Sequence, residues 1–261
     1  GAGLDTGNIM WQLKNYHING LQFYDWAWKH HRLYSPNSTW LDIANRTISR
    51  ATVSGLISAA HDYNMAAMSY GDWGSGYDDC YTDGSGVTLS MGRFTGTPAS
   101  TSNQYVWGIP AGWATPQLRL MNNRDGGWQN YIYGRQQEVM TNLGFDGWHM
   151  DSLITNSTAY DYNGVQFNVY AYSPNFVNNF TTATGGRAVI NHIDGAGLAE
   201  VAQYANVDFI YVEAWDSGYP NYNDLKLLFD DVRQYSSKAS VVAAYMNRDK
   251  TSGYFNEASV R

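Results

Sequence analysis

The sequence predicts an α/β fold, a (β/α)8 TIM-type barrel that stops before or within its eighth strand. Three observations carry that expectation. Short apolar runs alternate with amphipathic stretches along the chain, which is the pattern of parallel strands joined by helical crossovers. The length, 261 residues, suits one such barrel, which takes about 250. Nearly every apolar run ends in a carboxylate, an amide or a phenol, and barrels gather such groups at the C-terminal mouth of their strands.

The elements follow in order. Residues 20–26 (GLQFYDW) read as the first strand. Residues 47–63 carry apolar side chains at helical spacing, with Gly55 as a weak point. Residues 65–70 (MAAMSY) are the second strand, and a long irregular stretch at 71–116 follows. Residues 118–122 (LRLMN) read as a third strand, and 128–143 as a helix closed by Gly144, a favourable residue just past a helix end. Strands are then expected at 145–151, 188–191, 207–215 and 240–247, with helices at 195–204 and 224–235. Leu225, Leu227, Leu228 and Val232 mark the apolar side of the last helix. That makes seven strands; an eighth would begin near Ala258 to Val260. The chain reads as one partial barrel domain over 1–261, with a long loop between its second and third strands.

Composition narrows the functional class. The chain has 10 Trp, 21 Tyr, 9 Phe and 23 Asn, but only 15% charged residues, against a usual quarter. A hydrophobic content of 44% is enough for a core and excludes disorder. The net charge of −7 opposes nucleic-acid binding, since phosphate contacts need a positive face. No apolar run reaches the 18 residues of a membrane span. The start, Gly1 to Leu4, lacks the charged and apolar segments of a signal peptide. Low-complexity tracts and short repeats are absent, which argues against solenoids and propellers. A single cysteine, Cys80, excludes a disulfide framework, and no group that would activate it is visible. A surface rich in aromatics and amides suits a neutral, polar, ring-shaped ligand.

The expected strand ends supply Asp25, Tyr70, Asn122, Asp151, Asn191, Glu213 and Asn247. One such residue would merely cap backbone; seven together point to a site. Asp151 and Glu213 end strands with one strand between them. Two carboxyl groups across a barrel mouth are what glycosidic cleavage needs, one ionised to attack the anomeric carbon and the other protonated to assist the leaving oxygen. Glu213 lies between Val212 and Ala214 and near Trp215, an apolar setting that favours its protonated form. A donor from His149 or Tyr24 would favour the ionised form of Asp151. Asp25 reads equally as an acceptor for sugar hydroxyls or as a structural acid. Asp146, at the far end of its strand, reads as structural.

The segments HINGLQFYDWAW (17–28), WQNYI (128–132), GFDGWHMD (144–151), DFIYVEAW (208–215) and VVAAYMN (241–247) resemble family-66 glycoside hydrolases. That family holds endo-dextranases and cycloisomaltooligosaccharide glucanotransferases. The resemblance runs in order from His17 to the end of the chain. It implies a secreted or cell-surface bacterial enzyme, a retaining α-glycosidase acting on α-1,6-linked glucan: dextran or isomaltooligosaccharides. It places the nucleophile at Asp151, the acid/base at Glu213 and a supporting acid at Asp25, with Tyr24, Tyr70, Asn122, His149, Asn191, Trp215 and Asn247 around the sugar. Amylase-like barrels carry an Arg where His149 stands, which argues against them. Family members usually carry flanking β-sandwich domains, none of which is expected within residues 1–261, and the 71–116 stretch matches no familiar segment.

Hydrolysis is the leading reading. Cyclising transfer uses the same residues, but its members tend to carry a carbohydrate-binding insertion that the stretch after residue 241 lacks. A non-catalytic glucan-binding protein is the alternative from another class, and retention of both acids argues against it. No cofactor is expected. Asp72, Asp78, Asp79 and Asp83 leave a structural calcium as the candidate metal, though their spacing fails the EF-hand pattern and a solvated acidic loop is the better reading. His30 and His31 carry no metal signature. Asn37, Asn45, Asn156 and Asn179 open sequons that matter only in a eukaryotic secretory route. Trp73, Trp107, Trp113, Trp215 and Tyr219 either stack on glucose or build small loop cores; Trp128 and Trp148 should pack. Oligomeric state is not legible.

Overall fold

The computed structural model describes residues 4–153, 158–215, 218–219 and 222–245. Asn156, Asn247 and the segment near Ala258 to Val260 fall outside them. Six parallel strands form one curled sheet, a half-barrel, and neighbour each other in chain order. They are β1 (Gly20–Phe23), β2 (Ala66–Asp72), β3 (Gly147–Leu153), β4 (Arg187–Ile193), β5 (Ile210–Trp215) and β6 (Ser240–Tyr245). The helices are α1 (Thr6–Asn15), α2 (Arg50–Asp62), α3 (Gly126–Leu143), α4 (Val169–Thr184), α5 (Leu198–Tyr204) and α6 (Tyr222–Tyr235). None is long and apolar enough to cross a membrane.

Local chemistry sets the helix ends. The Asp125 carboxylate caps α3 by accepting from the Trp128 amide at 2.8 Å. Gly144 closes the same helix at φ 92°, a left-handed conformation that glycine adopts without strain. Helix α4 is capped by Asn168 and ends at Gly185. Its sequence hides it, because Pro174 inside the helix reads as a breaker.

Strand alternation divides the sheet into two faces. Trp148 and Met150 of β3, Ala188 and Ile190 of β4, and Ile210, Val212 and Ala214 of β5 point outward into one core with Phe176, Phe180 and Val201. The Trp148 and Phe180 rings meet edge to face at 5.5 Å. Each large apolar side chain buried here contributes about 2–3 kcal/mol. The period of two then turns His149, Asp151, Asn191, Tyr211, Glu213 and Trp215 inward. Helix burial therefore decides which residues face the barrel interior.

The third expected strand is corrected. Gln117–Leu120 is not part of the half-barrel; it pairs antiparallel with Ser75–Tyr77 and with Val106–Gly108. Leu118 and Leu120 are buried while Gln117 and Arg119 are half-exposed. Such alternation suits an antiparallel strand with one wet face, not a strand covered on both sides. The stretch at 71–116 is likewise no irregular loop. It carries two strands of this small sheet and a 3-10 turn at Leu89–Met91. Ile43, Tyr77, Leu118 and Ile109 pack as a local core beneath it.

Candidate active site

The cleft opens where β2, β3, β4 and β5 end. It encloses about 340 Å³ and is lined by Asp25, His30, Tyr70, Asp72, Asp151 and Glu213, among others. Asn191 organises its centre. One amide nitrogen, Nδ2, donates to Asp151 Oδ1 at 2.8 Å and to Glu213 Oε2 at 2.7 Å. Two oxygens at those distances from one atom are no more than about 5.5 Å apart. A register shift between Ile190 and His192 in the β3–β4 pairing flanks Asn191. Bulges of this kind re-aim a side chain beside a site.

Tyr70 is the second donor to Asp151, through its phenol. Burial and the neighbouring Asp151 and Asp72 carboxylates drive the phenol far above its ordinary range, so it stays a protonated donor. Tyr24 packs on Tyr70 with ring centres 4.5 Å apart and planes tilted by 41°, and is well exposed. Tyr211 is pushed up to about 12, by burial and then by Glu213. Tyr245 faces Glu213, and burial and that carboxylate together raise its phenol. Tyr245 also stacks on Trp215 at 4.2 Å, with the planes 6° apart.

Asp25 follows β1 rather than ending it, in a turn with φ 47°. It is buried, and Arg46 approaches its Oδ2 at 3.5 Å. Burial raises its carboxyl, against the pull of His30 and Arg46. Asp194 acts on the acid strand from outside the cleft. Its amide donates to the Glu213 carbonyl at 2.8 Å, and its Oδ1 accepts from the Trp215 amide at 2.9 Å.

The structure therefore brings together Tyr24, Asp25, Tyr70, Asp151, Asn191, Glu213 and Trp215. It separates Asn122, which follows the antiparallel strand Gln117–Leu120. Asn122 lies in a second cleft with Arg124, Asp161 and Tyr162, and its Oδ1 accepts from the Arg124 amide. His149 does not serve as the donor to Asp151. It sits one strand layer below, buried against Tyr211 at 4.7 Å, with Nε2 unpartnered. Desolvation pushes it down to about 4. Asn247 lies outside the described residues. The apolar neighbours read around Glu213 also face elsewhere: Val212 and Ala214 point into the helix core, and amide and phenol groups surround the carboxylate.

Sequence reasoning missed Asp72 and His30. Asp72 is the last residue of β2 and pairs in register with Asp151. The signal was present: carrying the period of two from Tyr70 one step further reaches Asp72. Of the four acids at 72–83, Asp79 and Asp83 converge beside His31, while Asp72 and Asp78 point to other partners. Asp72 accepts from Ser75, Asp78 pairs with Arg119, and Asp79 and Asp83 share the Lys29 ammonium at 2.7 and 2.9 Å. Of the loop aromatics, Trp107, Trp113 and Trp215 line the cleft. Trp73 packs against Phe176, and Tyr219 donates to the Asp194 carbonyl.

The family model for glycosyl hydrolase family 66 matches residues 3–261. The chain belongs to glycosyl hydrolase family 66. A cycloisomaltooligosaccharide glucanotransferase of Niallia circulans is 32% identical over 261 residues, covering 94% of this family-66 chain and 26% of the relative. A dextranase of Streptococcus salivarius is 31% identical over 138 residues, 46% of this chain and 16% of the relative. The crystal structure of a Paenibacillus sp. cycloisomaltooligosaccharide glucanotransferase with cycloisomaltoheptaose superposes with a TM-score of 0.84 at 32% identity. It covers 93% of this chain and 36% of that one. This family-66 chain thus spans about a quarter of the length of the first curated relative it matches.

Proposed function

We propose that this chain is the catalytic barrel portion of a retaining glycosidase that cleaves internal α-1,6-glucosidic bonds of dextran or isomaltooligosaccharides. The six-stranded half-barrel is read as part of a (β/α)8 barrel of TIM type, one domain across 1–261. The observation that carries the proposal is the shared Asn191 amide. It holds an Asp151 and a Glu213 oxygen within about 5.5 Å, and retaining pairs stand roughly 5–5.5 Å apart, whereas inverting pairs need about 6.5–9.5 Å.

The roles follow from the surroundings. Asp151 receives hydrogen bonds from Tyr70 and Asn191, which stabilise its negative charge and aim it as nucleophile. Glu213 stands across the cleft as acid/base. Asp151 attacks the anomeric carbon and forms a glucosyl ester while Glu213 gives its proton to the leaving oxygen. Glu213 then takes a proton from water, which attacks the ester and restores Asp151. A sugar 6-hydroxyl in place of water gives the cyclising transfer. Asp25 supports the bound glucose. A polymeric substrate puts this work outside the cell, secreted or at its surface.

The test is turnover of dextran by wild type and Asp151→Asn. Wild type should release reducing ends, and the variant should lose activity on the order of 10⁴-fold or more. Unchanged turnover in the variant would end the mechanism. Linear products support hydrolysis and cyclic products support transfer; binding without any release would mean a glucan-binding protein.

A further inference from the structure

We infer that Asp72 and His30 form a hydroxyl-binding pair that grips the ring of the glucose attacked by Asp151 and sets specificity at that subsite. The inference rests on the activity proposed above.

Register gives the first argument. Asp72 lies directly opposite Asp151 on the neighbouring parallel strand. Adjacent strands stand about 4.8 Å apart, and paired residues point to the same face. Asp72 thus presents its carboxylate beside the nucleophile in the same layer of the cleft. A glucose whose C1 meets Asp151 brings its ring hydroxyls into that neighbourhood.

Burial gives the second. Asp72 is 4% exposed and His30 is 8% exposed, yet both line the cleft. His30 Nδ1 and Asp72 Oδ2 lie 3.5 Å apart, at the outer limit of a hydrogen bond. Beyond that long contact His30 Nδ1 has no hydrogen-bond partner. A buried donor held only by a long contact gains from a closer acceptor. A sugar hydroxyl both donates and accepts, so one hydroxyl entering here accepts from the imidazole and donates to the carboxylate at once.

Charge gives the third. Burial lowers the His30 imidazole, but Asp72, Asp25 and Asp151 outweigh it and raise it above its ordinary value. The ring is therefore a strong donor set among carboxylates. Ser75 fixes the carboxylate side by donating to Asp72 Oδ2 at 2.7 Å. Asp72 and His30 are assigned contact with the substrate and no covalent step.

The experiment measures kcat/KM of the 261-residue chain on isomaltotriosyl fluoride and on its 2-, 3- and 4-deoxy analogues in the fluorinated ring. Wild type, Asp72→Asn and His30→Gln are compared, with melting curves to confirm folding. Each variant should lose about 10- to 100-fold on the parent fluoride, the size of a hydrogen bond to a charged group. One deoxy analogue should cost wild type a similar factor and cost the variants almost nothing. A purely structural role would leave that deoxy penalty intact, and an intact penalty in both variants overturns the pair. Isomaltoheptaose binding is titrated in parallel. A wild type that binds but cleaves neither fluoride nor dextran overturns the activity reading alone. The contact is then read from the isotherms, where equal affinity of wild type and both variants overturns it.

Discussion

The strand ends and the excursion at 71–122 face the same cleft but are built differently. On β2 to β5, each functional group sits at a position set by register, and its outward neighbours are locked in the helix core. Asp72 and Asp151 are paired residues, as are Ile193 and Glu213. The excursion instead supplies Trp107, Ile109, Trp113 and Leu118, an apolar and aromatic wall on a small antiparallel sheet. Lys29 with Asp79 and Asp83, and Arg119 with Asp78, tie that sheet down. Reacting groups need tight placement, which regular backbone provides. A wall that stacks on sugar rings needs area and tolerates looser support. The strands should therefore govern rate, and the excursion should govern binding.

The strongest way to break this division is Asn191→Ala. It removes the donor shared by Asp151 and Glu213 and should lower kcat about 10²- to 10³-fold with little change in KM. A change confined to KM would show that the bridge does not orient the acids. A smaller effect is expected from Trp113→Ala or Trp107→Ala. Each ring is about 40% exposed on the cleft wall, and its loss should raise KM about 3- to 10-fold with kcat preserved. A drop in kcat instead would put the excursion in the chemistry.

The smallest effect concerns the scaffold. Burial pushes His31, His149 and His192 down to about 4, against 6.5 in the unfolded chain. Between those values the unfolded state binds more protons, so stability falls as pH drops from about 6.5 to 4. His30 acts oppositely, since its raised value adds stability below 6.5 that is lost as pH rises through the folded value. The raised Asp25 carboxyl acts in the same sense as His30, so three lowered histidines against these two groups predict a melting temperature that declines on acidification. His192→Asn should flatten the decline, and an unchanged slope would remove His192 from the balance.

How much of the site was legible follows from where periodicity holds. Asp151, Asn191 and Glu213 could be placed because their strands are apolar runs ending at a polar residue. Asn122 misled because LRLMN also reads as a strand, and a strand carries no label for the sheet it joins. His149 stands two residues before Asp151 in sequence, and a two-residue step along β3 keeps the same face but moves down a layer. Asp72 was obscured by the acidic run after it, which drew the reading toward a loop. Helix α4 was obscured by Pro174.

By itself the sequence determined the α/β alternation, the two acids and the abundance of rings and amides, because each is a property of residue type and spacing. Only the tertiary structure decided that one amide joins the two acids, that Tyr70 rather than His149 donates to Asp151, and that Asp72 stands beside the nucleophile. Those facts depend on register between strands far apart in the chain and on a bulge in β3, where Met150 to Leu153 oppose Ile190 to His192 of β4. Both are set by burial of the outward side chains against the helices, which local sequence does not encode.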